Sequence, residues 1–569
     1  MKWLEDIWAQ IGFALPVALP CAVIALIVFF VVLGRDRVSS SMAPWLHFSF
    51  RGAAYVLLAI VALTAVVNYT NMGRWRYNSY LNAWEFYHYY MGTKYAREVG
   101  YTGMYGATLA ADRETGLKYK NKKGTIRDLA TGRHVPIRSM LKRQAHFKSM
   151  FSAPRWREFV KDVKYFKRKL SQNRWNGVLS DKGYNGTPPW SALVGGFLSN
   201  TIPTSSKKGM LFLALLDPIL IALATACVWW AFGLRTALFM IALVGTHYMM
   251  HFSHMKGAFL RTDFAMCLVM AVCFVKKNFY KTAGVLLGYS IISRIFPAVF
   301  LFGIGAKLFW DFVQKRRINW QYIGLFVTCG LTVAAISVGS VGYFDGFDIW
   351  KDFENKITKH NSDVSPWRIG FKQLIANEFI KGLPNLRKRM YVQHAYSPFG
   401  DPDPPARGKP REAIEGGLGA KVLDYLNHRQ WWVIQACMLL LSLYLVKGLK
   451  AHQALIYGMV PCFFLATPTY YYYIMLCVPL LFFAPELERP SRAIGLAMMF
   501  VTGMIGYGFF AMWGQGFRTY YWLSWLMFFM CVYMMGLAFA ETRARARDAL
   551  REKEEKPESP PPKLELATS

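Results

Sequence analysis

The chain has 569 residues, 54% of them hydrophobic and 16% aromatic, with a formal charge of +33 and a mean hydropathy of +0.20. Its apolar residues come in blocks of roughly 17 to 25, the length that crosses about 30 Å of hydrocarbon as helix, which excludes an ordinary soluble enzyme. The 9 cysteines form no CxxC pair and fall in or beside those blocks, so a disulfide framework or thiolate metal site is not expected.

In chain order, residues 1–50 hold an apolar block, Ile11 to Leu33, too long for the core of a signal peptide and read as a retained helix. A membrane core over 51–342 follows, opening with Ala53 to Val67 and including Met210 to Phe232. The C-terminal helices over 431–540 include Leu496 to Trp513. These blocks are apolar on every face, as spans are, rather than striped like the helices of a soluble core. The segment from 69 to 208 carries 26 Lys and Arg against 8 Asp and Glu, whereas 343–430 carries 14 against 11. The first should attract anionic lipid headgroups or phosphates, and nucleic acid is not expected for a loop pinned between spans.

The tail, 541–569, is charged and then Pro-rich, which predicts disorder, and the positive-inside rule places it in the cytoplasm. Short basic connections at Lys276 to Lys281, Gln314 to Arg317 and Lys447 to Lys450 then fall on the same side. That arrangement requires two short helices within Lys281 to Trp310, meeting near the outer face at Ser293-Arg294-Ile295-Phe296-Pro297. The predicted fold class is an all-α polytopic membrane protein with about 13 transmembrane helices, its N-terminus outside and two long outward-facing loops. Within the first loop, Trp156, Phe159, Val160, Val163, Phe166 and Leu170 recur at helical spacing among Lys and Arg. This predicts a basic amphipathic helix over Ala153 to Leu170 lying on the bilayer.

The run Trp84-Glu85-Phe86-Tyr87-His88-Tyr89-Tyr90, continued to Tyr105, sets one acid among rings where the chain leaves hydrocarbon. Glu85 there suits a general base taking a proton from a hydroxyl, although a plain interfacial Glu has the same surroundings. Asp112 is a second candidate acid, at what reads as the start of an exposed loop. Arg261 and Asp263 open a span, where ionisable groups pair with one another or bind something. Arg294 sits at the predicted helix break, where free backbone N–H groups and a guanidinium together suit a phosphate; snorkelling is the alternative. His247, His251 and His254 share one face if the helix is continuous, as metal ligands or as polar packing. His360, in a polar group before Pro366, and Tyr472, in the run Tyr470 to Tyr473, are substrate-contact candidates; an aromatic belt also accounts for the tyrosines. No HExxH, P-loop, GxSxG or dinucleotide motif in its required context is present, so a nucleotide-driven pump is not expected.

The layout and these motifs resemble the GT-C superfamily of integral-membrane glycosyltransferases, most of all the polyprenol-phosphate-mannose-dependent mannosyltransferases. Trp84-Glu85-Phe86, Tyr89-Tyr90, Gly100 and Tyr105 are similar to that family's acid–aromatic, paired-Tyr, Gly-x-x-x-Tyr pattern, with one residue more between Gly100 and Tyr105, and Arg294 to Pro297 to its basic-x-x-Pro break. Two departures are Glu85 where the family has Asp and Arg294 where it has Lys; the basic insertion at about 113 to 182 has no counterpart. The resemblance implies inverting transfer of a mannose-like hexose, outside the membrane, from a polyprenyl-phosphate-linked sugar donor to a lipid or glycan acceptor. It implies Glu85, or Asp112, as base, Arg294 and Arg261 on the donor phosphate, and Trp84, Tyr89, Tyr90, Tyr105, Asp263, His360 and Tyr472 about the substrate. It requires no cofactor and leaves a divalent metal open. A bacterial inner membrane is the expected location. A transporter or flippase of a lipid-linked glycan, or a scaffold docking a partner on the basic loop, stays open as an alternative.

Overall fold

The computed structural model describes residues 2–34, 43–71, 79–120, 124–251, 255–362, 367–375 and 429–555. Among them seven helices are long and apolar enough to cross a membrane: Ala14–Leu33, Pro44–Thr70, Lys207–Phe232, Phe296–Gln314, Trp320–Tyr343, Pro490–Trp513 and Arg518–Asp548. Their ends are set locally. Pro44 starts one helix at a position where its missing N–H costs nothing, and Asn71 closes it in the left-handed conformation at φ 48°. Ser206 caps Lys207–Phe232 by accepting the Gly209 N–H, and Gly233 at φ 90° ends it. Val56, Leu57, Ile60 and Leu63 of one span, and Leu331 and Val338 of another, point outward, an apolar exposure that a bilayer accommodates and water does not.

Fewer helices reach full spanning length than the approximately 13 expected, because several central ones are short. Asp263–Lys276 and Tyr280–Ser293 have 14 residues each, about 21 Å at 1.5 Å per residue, less than the hydrocarbon thickness. They form an antiparallel hairpin, and Tyr280–Ser293 packs closely on Trp320–Tyr343. Gly284 and Gly288 permit that approach: a Cβ on Gly284 would lie 2.3 Å from the Leu325 carbonyl oxygen. After Ser293 the backbone is extended at Arg294 (φ −146°, ψ 133°) and then resumes as a 3-10 turn, Phe296–Phe300, followed by Leu301–Lys315. The break lies where the sequence predicts it.

The first long loop is a folded unit built on its own aromatic core, which includes Tyr87, Tyr95, Phe159, Phe166, Trp175 and Trp190. Burying each such ring contributes roughly 1.5–3 kcal/mol. The predicted amphipathic helix is present as Ala153–Lys169, but its placement corrects the expectation. Trp156, Phe159, Val163 and Phe166 are buried in this core, not laid on a bilayer, because Tyr87, Tyr90, Tyr95 and Phe151 supply a protein surface for that face. The insertion also contains a two-stranded antiparallel ribbon, Thr125–Arg127 against His134–Pro136, a small exception to the all-α expectation. From the second loop, Asp348–Ser362 inserts Ile349 and Phe353 into the same core. Most of that loop, 376–428, lies outside the described residues.

The tail differs from the expectation too. The last helix runs Phe517–Glu555, carrying 541–555 as helix, and Glu541 accepts from Arg489 at 2.9 Å and Arg492 at 3.0 Å. An Ala-, Arg- and Glu-rich stretch anchored by two ion pairs extends the span instead of dissolving. Residues 556–569 lie outside the description.

Candidate functional site

Glu85 stands on the short helix Ala83–Phe86, whose start is capped by Asn82 accepting the Glu85 N–H at 3.3 Å. A π-helical turn, Tyr87–Met91, follows directly. The Glu85 side chain is 15% exposed, and its Oε2 lies 3.3 Å from Nε of Arg261, which is 3% exposed. The Arg261 guanidinium lies over the Tyr89 ring, with Cζ 3.7 Å from its centroid, and within 6 Å of the centroids of the Tyr471 and Tyr472 rings. Arg294 reaches the same place from the helix break, its Cζ 5.6 Å from the Tyr89 centroid and 5.5 Å from that of Tyr472. One carboxylate, two guanidiniums and three tyrosines thus converge from four separate stretches of chain.

What distinguishes this place is unmet hydrogen bonding. Arg294 Nη1 donates to the Ser293 carbonyl at 2.5 Å, but its Nε and Nη2, and the Nε and Nη1 of Arg261, are buried and meet no acceptor at hydrogen-bond geometry. The Glu85 contact is therefore an ion pair without an aligned N–H. The Tyr472 hydroxyl faces Arg294 both as a charge partner and as a loose side-chain hydrogen-bond partner, short of strict geometry at Nε and Nη2. Buried guanidinium donors are costly to leave unpaired, and a bound anion with several acceptor oxygens would satisfy them.

The surrounding residues hold this geometry. Asp263 does not pair with Arg261, contrary to one expectation for the pair. Its Oδ1 accepts the Phe264 N–H and the Ser293 hydroxyl, and its Oδ2 accepts the Trp190 indole and the Tyr289 hydroxyl, all at 2.8–2.9 Å. It is fully buried and ties the start of one hairpin helix to the end of the other, fixing where Arg294 emerges. Thr187 donates its hydroxyl to the Ile292 carbonyl, so the first loop is fastened to the same break. The residue that sequence reasoning missed is Asp217, next to Pro218 inside Lys207–Phe232. It accepts from the Arg261 N–H and the Thr262 N–H at 2.9 Å and from the Thr262 hydroxyl at 2.7 Å, and so positions the Arg261 backbone. An acid within an apolar span was the available signal.

Trp84 donates its indole N–H to Asp181 at 3.2 Å, and the Tyr89 hydroxyl donates to Asn185 at 2.6 Å. Tyr105 lies one layer back: its hydroxyl is 2.9 Å from Nε2 of His88, whose Nδ1 is 3.0 Å from the Trp84 carbonyl. A carbonyl only accepts, so Nδ1 carries a proton and donates it to Trp84. Tyr90 turns the other way, its hydroxyl on the Ile202 carbonyl at 2.7 Å and its ring against Phe166.

Asp112 requires correction. It is completely buried, not at an exposed loop, accepts the Lys118 and Tyr119 N–H groups and the Trp175 indole, and pairs with Lys167 at 2.6 Å. A carboxylate with every lone pair engaged anchors the chain. The histidine face is also broken: the helix ends at Thr246, His247 is extended, and a new turn starts at Tyr248. The side chains of His251, His254 and His360 lie outside the described residues. Among the described residues no group of three or more His, Cys, Asp and Glu is placed to hold a metal ion. Compared with family models, curated proteins and solved structures, the chain matches none.

Proposed function

We propose that the protein is a membrane glycosyltransferase of the GT-C type, with about 13 passes, that moves a mannose-like hexose from a polyprenyl-phosphate donor to a lipid or glycan hydroxyl. The proposed location is the outer side of a bacterial inner membrane. The observation that carries the reading is the carboxylate of Glu85 paired with Arg261, next to Arg294, with two nitrogens of each buried guanidinium meeting no acceptor at hydrogen-bond geometry. In this mechanism the donor phosphate sits on Arg261 and Arg294. Glu85 takes the acceptor's hydroxyl proton, the oxygen attacks the anomeric carbon, and the bond from that carbon to the phosphate oxygen breaks with inversion. The leaving phosphate keeps the electron pair, and the guanidiniums offset its charge. Tyr89, Tyr471 and Tyr472 hold the guanidiniums in place and offer ring faces to the sugar.

The test is transfer of labelled sugar from polyprenyl-phosphate mannose, and from a panel of other lipid-phosphate sugars, in membranes carrying wild type, Glu85→Gln or Arg294→Gln. Glu85→Gln should lose transfer by on the order of 10²–10⁴-fold. Arg294→Gln should weaken both donor use and turnover. Equal transfer by wild type and Glu85→Gln removes Glu85 from the chemistry. No transfer from any donor by wild type favours the flippase reading, in which the arginines bind the same lipid phosphate without bond making.

A further inference from the structure

A second polar cleft, with a volume of about 720 Å³, is lined by residues of the first-loop unit and shares no residue with the site above. It lies between the turn at Arg97 and Glu98, the helix at Phe197 to Thr201, and Tyr343, the last residue of the span Trp320–Tyr343. Two features set its height. Leu193, 43% exposed, packs on Gly339 of that span, and Phe197, one turn further along, is 64% exposed. Apolar side chains projecting beside the end of a span belong at the boundary between acyl chains and headgroups, so the cleft opens at headgroup level.

Its charges are specific. Arg155 donates to Glu98 Oε1 at 2.5 Å, and its other terminal nitrogens are taken by Glu158, Asn200 and the Lys94 carbonyl. Glu98 Oε2 is buried and has no hydrogen-bond partner. Arg97, beside Glu98 on the same turn and half exposed, bonds Asp345 through one nitrogen at 2.6 Å and lies 5.4 Å from the Tyr343 ring centroid. An anionic headgroup without a cationic donor would set its charge between two carboxylates and leave Oε2 unsatisfied. A quaternary ammonium has no N–H to offer it. A headgroup with a phosphate and a primary ammonium meets both demands, the phosphate at Arg97 and the ammonium at Glu98.

We propose that this cleft is a binding site for a phosphoethanolamine lipid headgroup, with the acyl chains running down past Phe197 and Leu193. The proposal is independent of the transfer chemistry. The test is native mass spectrometry of the full-length protein in detergent, titrated with dioleoyl phosphatidylethanolamine, phosphatidylcholine or phosphatidylglycerol. Wild type should hold one phosphatidylethanolamine at least about tenfold more tightly than phosphatidylcholine, the worth of one charge-assisted hydrogen bond. Glu98→Gln, which keeps an acceptor for Arg155, should abolish that preference. Arg97→Gln, at a half-exposed position outside the Glu98–Arg155 pair, should weaken both lipids and decides the matter if Glu98→Gln does not fold. Equal binding of phosphatidylethanolamine and phosphatidylcholine by wild type overturns the proposal. A preference that survives Glu98→Gln, binding unchanged in Arg97→Gln, or tighter binding of phosphatidylglycerol than phosphatidylethanolamine would each do so as well.

Discussion

Asp263→Asn tests whether this acid braces the helix break instead of taking part in chemistry. The four donors on Asp263 are not equivalent. The Ser293 and Tyr289 hydroxyls can turn and accept from an amide N–H₂, whereas the Phe264 N–H and the Trp190 indole N–H only donate. Whichever oxygen becomes nitrogen, one fixed donor is orphaned in a fully buried setting, at a cost of about 1–3 kcal/mol. The remaining bonds lose their charge assistance, which brings the expected loss to roughly 2–4 kcal/mol. Unfolding in detergent mixed with increasing SDS, followed by tryptophan fluorescence, would measure it. Tyr289→Phe should be coupled to Asp263→Asn by at least about 0.5 kcal/mol in a double-mutant cycle, because one removes and the other weakens or reverses the same bond. Stability within about 0.5 kcal/mol of wild type, or strict additivity of the pair, would refute the bracing role.

Asp112→Asn should be at least as destabilising, since the Lys118 and Tyr119 N–H groups and the Trp175 indole cannot reverse and Lys167 loses its counter-charge; the same unfolding assay should show a loss of about 3 kcal/mol or more. Lys356 donates to the Tyr101 carbonyl at 3.0 Å, and burial pushes its ammonium down to about 7 although Asp181 opposes the shift. Because the unfolded side chain binds its proton up to about 10.5, docking of Asp348–Ser362 should strengthen as pH rises from about 7 towards 10.5 and should be weakest, and flat with pH, below 7. Proteolysis of that helix against pH would show the slope, and Lys356→Met should remove it. Gly303→Ala would place a Cβ 1.8 Å from the Ala454 carbonyl oxygen and should cost about 1–3 kcal/mol, whereas Gly330→Ala, with open space around it, should be neutral or stabilising by up to about 1 kcal/mol; thermal unfolding of the two variants compares them directly.

Much of the architecture is local and was legible in the sequence. Apolar runs of spanning length, the proline-marked break after Ser293, and the amphipathic period of 153–169 depend on neighbours within a few residues, so composition and spacing are enough to read them. The nearness of Glu85, Arg261 and Arg294 was foreseeable only as membership of one membrane face. Tertiary structure decided what each acid does. Glu85, Asp112 and Asp263 are alike on paper, yet Asp263 is satisfied by Trp190, 73 residues away in the chain, and Asp112 by Trp175, 63 away, while Glu85 is left with an ion pair. It also decided that the amphipathic helix meets a protein core instead of lipid, because an apolar stripe specifies that a face is covered but not by what. Hydrogen bonds from distant segments and the identity of a packing partner are set by how the chain folds back on itself, and no periodicity in one stretch of sequence carries that information.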